Sequence, residues 1–302
     1  MVSAPRATLF ILLLILILNS VIFYKLGQRR DVKSIFQSST TPPYSYYVCT
    51  QVLNESEKYL TEWIKYQLNI VGFKNICLIN VGETFNKTFL AQYSIGIIHK
   101  HEFHQEFNYC LSCFDQPMKS DDLLFIQDID EFLNVKQADV IFKNYHKYDK
   151  FHFQEIRYGY IYDMNTEMIN NSLLETNVYR KPHKHLGEYI SKHLQDLFNC
   201  TTNNEWYSCD EGFGKEMIKV GKIRELGVHF HQLTGRNSSA KDTLYVDMKQ
   251  VRLNHYIMPT REEGIKRAAK WNKRLSRMNV INSNKYFNMI FDDTIRDSKK
   301  LI

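Results

Sequence analysis

Along residues 44–130, short apolar runs alternate with segments of helical periodicity. Apolar residues recur at helical spacing from Leu60 to Leu68, and Gly72 then ends the predicted helix. The segments "NKTFLAQYSIG" and "HQEFNYCLSCFDQPM" suit two further helices. Four runs rich in β-branched and aromatic residues predict strands, namely "YSYYVCTQV", "KNICLINVG", "IIHKHEF" and "DDLLFIQDID". Strand–helix alternation at this spacing predicts an α/β fold with a mixed, mainly parallel sheet and flanking helices.

The second half of the chain is less regular. The segment "KFHFQEIRYGYIY" alternates like a strand, and "FGKEMIKVGKIRELGVHFHQL" suggests two short strands around Gly221. The segment "VRLNHYIMPTREEGIKRAAKWNKRL" predicts a strand, a proline turn and an amphipathic basic helix. We expect the basic face of that helix to be solvated.

The N-terminus carries the longest apolar segment. After a short tail (1–6), residues 7–24 have no charge, and 18 helical residues span about 27 Å, close to the thickness of a bilayer core. No cleavage site of the A-x-A type follows, which favours an uncleaved signal anchor over a cleaved signal peptide. Residues 25–43 read as a polar stem that ends in two prolines, and residues 44–302 form the predicted folded domain.

Composition bounds the class of protein and its compartment. With 302 residues, 44% of them hydrophobic, the chain can build a sizeable core. Its net charge is +6, but the lysines and arginines are too scattered to suggest nucleic-acid binding. The basic residues after the anchor mildly favour a cytosolic domain. Six cysteines and five glycosylation sequons favour a lumenal one, so we expect a single-pass type II protein of the ER or Golgi. The sequons begin at Asn54, Asn86, Asn170, Asn199 and Asn237.

The fourth predicted strand leads into a cluster of carboxylates, "DIDEF". In extended backbone, Asp128 and Asp130 would lie on the same side, where both can approach one Mg²⁺ or Mn²⁺ that carries a nucleotide diphosphate. The alternative is a solvated acidic turn. Glu131 is expected to lie behind the metal ligands or to cap the next turn, and Phe132 and Leu133 are expected in the core. Asn54 and Glu55 follow the first strand. Because ligands of such sheets bind at the carboxyl ends of the strands, we expect the two motifs to converge.

Several segments in order resemble inverting glycosyltransferases of the family 92 and family 2 type. The match covers residues 46–275. The segments that match motifs of these families are the "NE" after the first strand, "EWI", "HQEFNYCLSCF", "FIQDIDEFL", "FGKEMIKVGKIRELGVHFHQL" and "LNHYIMPTREEGIKRAAKW". The resemblance implies a glycosyltransferase A-type fold on a lumenal stem. The chain departs from the family at "IRYGY", where F-G-S is usual, and this leaves the acceptor open.

The resemblance also implies roles for individual residues. Asp128 and Asp130 would hold Mn²⁺ or Mg²⁺, with His229 as third ligand and His255 as its alternative; His231 also competes. An inverting transfer also needs a base, and Glu155, a polar residue within a half-buried predicted strand, is our candidate on that ground and not from the resemblance. The residues expected to bind the donor are Asn54 (predicted to be unglycosylated), Glu55, Gln105, Asn108, Asp128 and Lys215. For Asn54 and Glu55 the alternative is a helix cap, and for each histidine it is a structural hydrogen bond.

These roles imply transfer of a hexose, galactose as first choice, from a nucleotide sugar such as a UDP-hexose to a glycan on a glycoprotein or glycolipid, with inversion. Two alternatives stay open. One is a degenerate transferase that acts as a carbohydrate-binding membrane protein. The other is a nucleotidyl- or phosphotransferase that uses the same carboxylates, although the chain lacks a glycine-rich phosphate loop.

Overall fold

The computed structural model describes residues 44–52, 57–81, 93, 95–99, 107–137, 139–159, 172–177, 179–180, 212–227, 229–234, 240–256, 260–262, 265 and 290–292. The predicted tail, anchor and stem lie outside these residues, as do Asn54, Glu55 and Gln105. Within the described ranges, no helix is both long and apolar enough to cross a membrane.

Nine strands form one sheet. The strands of the described chain are β1 (Tyr46–Val52), β2 (Asn75–Asn80), β3 (Ile95–His99), β4 (Leu123–Ile126), β5 (Glu131–Val135), β6 (Lys150–Arg157), β7 (Tyr179–Arg180), β8 (Gly212–Lys219), β9 (Ile223–Glu225), β10 (Gln232–Leu233), β11 (Thr243–Val246), β12 (Val251–His255) and β13 (Ile290–Phe291). The sheet has the order β3-β2-β1-β4-β8-β6-β12-β5, and β11 also pairs with β6. Strands β9 and β10 form a separate pair, as do β7 and β13.

The pairing within the sheet is mixed but mainly parallel. Strand β1 runs parallel to β2 and β4, β2 to β3, and β6 to both β11 and β12. Strand β8 runs antiparallel between β4 and β6, and β5 runs antiparallel to β12. The predicted mixed α/β class is therefore confirmed.

The helices are short. The first helix (Glu57–Lys65) continues as a π-helical turn (Tyr66–Val71) and ends at Gly72, whose φ of 87° is the left-handed conformation that glycine adopts at least cost. Of the predicted helical segments, "HQEFNYCLSCFDQPM" contains the 3₁₀ helix Phe107–Ser112. "NKTFLAQYSIG" lies mostly outside the described residues, and its last two residues, Ile95 and Gly96, belong to strand β3 and not to a helix. The remaining described helices are the α-helices Asp139–Asn144 and Leu173–Thr176 and the 3₁₀ helices Val220–Lys222 and Ala240–Asp242.

The two faces of the sheet pack into different cores because alternate residues of a strand point to opposite sides. Val48 of β1 joins a large core with Trp63, Phe125 and Phe153, whereas its neighbour Cys49 joins a smaller core on the other face. The second core is covalently tied. Its disulfides, Cys49–Cys110 and Cys77–Cys113, fasten β1 and β2 to the 3₁₀ helix Phe107–Ser112 and the residue that follows it.

Candidate functional site

The strands that precede the two predicted motifs are neighbours. β1 and β4 pair in parallel, with Cys49 opposite Ile126, so both run toward the same edge of the sheet. This confirms the strand geometry on which convergence of the motifs depended. Asn54 and Glu55 themselves are outside the described residues, and their meeting with the acidic cluster stays a prediction.

The acidic cluster lies on a turn. β4 ends at Ile126 and β5 begins at Glu131. The backbone N–H of Glu131 donates to the carbonyl of Asp128 at 3.1 Å, and the N–H of Asp128 donates to Oε2 of Glu131 at 2.9 Å. The expectation that Asp128 and Asp130 share one side of an extended strand is therefore wrong, because the backbone reverses between β4 and β5. Asp128 faces Lys215, and Asp130 faces His255.

The first helix holds the turn in place through a hydrogen bond. Trp63 Nε1 donates to the carbonyl of Glu131 at 3.1 Å, and Gln127 Nε2 donates to the same oxygen at 2.6 Å. Trp63 and Ile64 belong to the apolar positions between Leu60 and Leu68 and are fully buried, as the apolar face of a helix requires. The carbonyl that begins β5 thus has two donors, and the position of the Glu131 side chain is set by the scaffold.

Lys215 is the nearest positive partner of the turn. Its side chain is fully buried, and its Nζ lies 2.8 Å from Asp128 Oδ2 and 3.8 Å from Glu131 Oε1. Burial alone would lower the pKa of Lys215, but the two carboxylates outweigh it and raise the pKa above its usual value. The lysine is therefore a permanent cation beneath the acidic turn.

A second cationic group faces Glu155. The His255 ring places Nδ1 2.9 Å from Glu155 Oε1 and Nε2 3.5 Å from Asp130 Oδ2, and Arg157 Nε donates to Glu155 Oε1 at 2.6 Å. Burial would raise the pKa of Glu155, but Arg157 and His255 hold it well below its ordinary value. Burial would lower the pKa of His255, but Glu155 and Asp130 raise it well above. A carboxylate held ionised in this way is a weak proton acceptor, which argues against Glu155 as the base.

Glu131, Glu155 and His255 form a compact set of metal-binding atoms, which lie within 4.8 Å of one another. Burial raises the pKa of Glu131 to about 8 even though Lys215 opposes this shift. Its Oε1 is buried and, among the described residues, has no hydrogen-bond partner. Carboxylate oxygens and a neutral imidazole nitrogen suit Mn²⁺, and also Mg²⁺, so this donor set fits the predicted divalent ion once His255 has lost its proton.

The charges around this set also favour a bound cation. In the described part of the chain, four carboxylates meet three basic groups, so with every group ionised one negative charge would remain, and burial opposes that charge by raising the pKa of Glu131. The carboxylates are those of Asp128, Asp130, Glu131 and Glu155, and the basic groups are those of Lys215, Arg157 and His255. A buried negative charge is costly, and a bound cation relieves it.

Two other predicted site residues make contacts outside this set. His229, the first choice as third ligand, has its Nδ1 3.0 Å from the carbonyl oxygen of Gly214, and the compact set includes His255, the alternative. Asn108 is exposed, and its Oδ1 accepts the N–H of Leu226 at 3.3 Å. Their roles as ligand and donor contact stay predictions.

Sequence reasoning undervalued two members of the cluster. Glu131 was expected to lie behind the ligands or to cap a turn, and Arg157 was not singled out. A signal for the second existed, because Glu155 and Arg157 stand two residues apart in an alternating strand and therefore share one face. Two opposite charges on the same buried face predict an ion pair.

No protein-family model and no curated protein matches this chain.

Proposed function

We propose that this protein is a metal-dependent glycosyltransferase with a glycosyltransferase A-type fold, which transfers a hexose from a nucleotide sugar to a glycan with inversion. Galactose is the first choice of sugar, as the motif resemblance implies. The observation that carries the proposal is the buried carboxylate–imidazole cluster, which stands where the carboxyl ends of β4, β6 and β12 meet. In sheets of this kind, ligands bind at that edge.

Glu131, Glu155 and His255 would hold the Mn²⁺ or Mg²⁺. When bound, such an ion supplies positive charge that neutralises a diphosphate leaving group. The remaining residues of the cluster position this set. Lys215 keeps Asp128 in place, and the Asp128 side chain is about one-third exposed, in contrast to the fully buried lysine. Asp128 is thus the part of the cluster that a nucleotide sugar reaches from solvent.

The disulfides support the proposed compartment. Cys49–Cys110 and Cys77–Cys113 are the kind of bond that persists in oxidising compartments and is rare in the cytosol. They agree with the sequons and outweigh the basic residues that follow the apolar segment 7–24. We therefore propose that the chain is a type II membrane protein with its catalytic domain in the lumen of the ER or Golgi.

The test measures Mn²⁺ binding and sugar turnover separately. Electron paramagnetic resonance follows Mn²⁺ binding, and release of UDP from UDP-galactose and other UDP-hexoses follows turnover, each with and without EDTA. We expect Glu131→Gln to weaken Mn²⁺ binding and to abolish turnover, because it removes a ligand charge. Asp115→Asn is the matched control, since Asp115 is exposed and makes no contact with the cluster among the described residues.

Each outcome has a meaning. Equal turnover in EDTA contradicts the metal role, and so does a Glu131→Gln variant with unchanged Mn²⁺ binding. Mn²⁺ binding without turnover of any UDP-hexose contradicts the transferase proposal and favours a degenerate, carbohydrate-binding protein.

A further inference from the structure

Four cysteines converge in the smaller core. Cys49 on β1 and Cys77 on β2 stand opposite each other in the parallel register, and both side chains lie on the face of the sheet that this core covers. Cys110 and Cys113 reach them from the 3₁₀ helix Phe107–Ser112 and the residue that follows it. Two neighbouring strands and one helical segment therefore bring four sulfur atoms together.

The sulfur atoms are close enough to share one ion. The Sγ atoms of Cys49, Cys77 and Cys110 all lie within 4.8 Å of one another, and Cys113 Sγ is bonded to that of Cys77. Four thiolates around a Zn²⁺ lie about 2.3 Å from the ion and thus roughly 3.8 Å from one another. Once the four side chains are thiols, one ion at the centre of the group is within reach of each of them.

The sequence spacing of the helical pair is that of a zinc site. Cys110 and Cys113 form the C-x-x-C motif "CLSC", and two more cysteines come from elsewhere in the chain, as in many structural zinc sites with four thiolates. The two cysteines of the motif are bonded to the strands and not to each other, unlike those of a thioredoxin-type redox motif. Soft thiolates select zinc over Mn²⁺ and Mg²⁺, so this ion differs from the one proposed at Glu131.

Packing holds the helical pair in place independently of the disulfides. Phe107 and Phe114 flank the motif and are buried in the smaller core, and the ring of Phe114 packs on Tyr47 of β1 with the ring centroids 4.9 Å apart. The backbone carbonyl of Cys113 lies against Gly96 of β3 so closely that no side chain would fit there. The segment is thus fixed by apolar contacts as well as by sulfur. We expect the four thiols of a reduced chain to stay together for this reason.

We propose that Cys49, Cys77, Cys110 and Cys113 bind one Zn²⁺ as four thiolates in the reduced chain, as an alternative to the two disulfides. The cysteines are thiols when the chain is synthesised, so binding needs no reductant. Four thiols release four protons to solvent, and the ion takes their place. The site ties β1 and β2 to the helical segment under reducing conditions, as the disulfides do under oxidising ones. It uses no residue of the acidic cluster and is independent of the proposed transfer reaction.

The experiment measures metal binding through sulfur. The full chain in detergent is reduced with a phosphine under argon, freed of metal, and titrated with Co²⁺, which gives intense absorption from sulfur-to-cobalt charge transfer only where thiolates bind it. We expect this absorption to saturate at one Co²⁺ per chain and to disappear as Zn²⁺ replaces the cobalt. The dissociation constant for Zn²⁺ should be in the nanomolar range or below. Zn²⁺ should also raise the melting temperature of the reduced chain.

Cys110→Ser and Cys113→Ser should each weaken Zn²⁺ binding by at least about a hundredfold, because each removes one of four ligands. The double substitution Cys200→Ser, Cys209→Ser is the matched control, since it removes the other two cysteines of the chain and should leave the site unchanged. Circular dichroism establishes that each variant is folded. The proposal is overturned if the reduced wild type gives no sulfur-to-cobalt absorption, if either folded single variant binds Zn²⁺ as tightly as the wild type, or if the control variant loses the site.

Discussion

His231 makes the stability of this protein depend on pH in a way that one substitution removes. The side chain is buried, its Nε2 lies 3.0 Å from the carbonyl oxygen of Glu216, and its Nδ1 accepts the N–H of Gly227 at 3.2 Å. This arrangement requires the neutral ring, with the proton on Nε2. A second proton would place an N–H of the ring against the N–H of Gly227. Burial lowers the pKa of His231 to about 4, and the nearby charge of Lys150 acts in the same direction.

The size of the effect follows from the difference in pKa between the folded and unfolded chain. A histidine in the unfolded chain has a pKa of about 6.5. Between that value and about 4, the unfolded chain binds a proton that the folded protein does not, so the free energy of unfolding rises with pH across this window. The contribution is complete above pH about 6.5 and is lost as the pH falls. In total it is about 3 kcal/mol, and lowering the pH from 7.5 to 5 removes about 2 kcal/mol of it.

Urea unfolding at a series of pH values tests this linkage. His231→Gln retains an N–H donor for the carbonyl of Glu216 but has no group that titrates in the window. The free energy of unfolding of the wild type should fall by about 2 kcal/mol more than that of the variant between pH 7.5 and 5. His146→Gln, at an exposed histidine, should follow the wild type. Parallel pH profiles for the wild type and His231→Gln would refute the reasoning.

Three further predictions concern the cluster and its scaffold. Lys215→Met should lower the free energy of unfolding by about 3 kcal/mol at pH 7.5 in urea titrations, because it leaves two carboxylates without their buried cation, and a loss under 1 kcal/mol would contradict this. The double substitution Cys49→Ala, Cys110→Ala should lower the free energy of unfolding by about 4 kcal/mol, because the disulfide no longer closes a loop of 61 residues in the unfolded chain. Equal urea midpoints for variant and wild type would disprove this. Gly96→Ala should lower the melting temperature by several degrees, since its new Cβ would lie 2.0 Å from the carbonyl oxygen of Cys113, and an unchanged melting curve would count against that contact.

Local pattern was enough to predict the strands that position the site. β1, β2 and β4 fall within the apolar runs that predicted them, because each run is a short buried segment bounded by polar residues. β3 overlaps its predicted run but begins two residues earlier, at Ile95. Phe132 and Leu133, expected in the core after the acidic motif, are both buried. The neighbouring positions of β1 and β4 followed from the rule that parallel strands present their carboxyl ends at one edge.

The side-chain partners could not be predicted in the same way. The lysine that meets Asp128 comes from a strand 87 residues further along the chain. No periodicity indicates which basic residue faces a given carboxylate across a sheet, because that depends on strand order and register. The turn at Asp128 was only the alternative to the extended backbone that we expected, for a related reason. The i, i+2 rule holds only for extended backbone, and here the chain reverses at the motif to begin β5.

The order of the strands explains why the acidic motif divides between two kinds of partner. β8 lies between β4 and β6, so Lys215 on β8 sits beneath the end of β4 and compensates Asp128. β12 lies beyond β6, and its last residue, His255, stands opposite Glu131 of β5. One fixed cation therefore serves the β4 side of the cluster, while the other side has an imidazole and a carboxylate oxygen without a hydrogen bond among the described residues. Arg157 also lies on that second side, so the imbalance is confined to the buried Glu131 carboxylate, whose ionised form burial opposes. We therefore propose that the divalent ion binds at Glu131, displaced from the two aspartates toward β12.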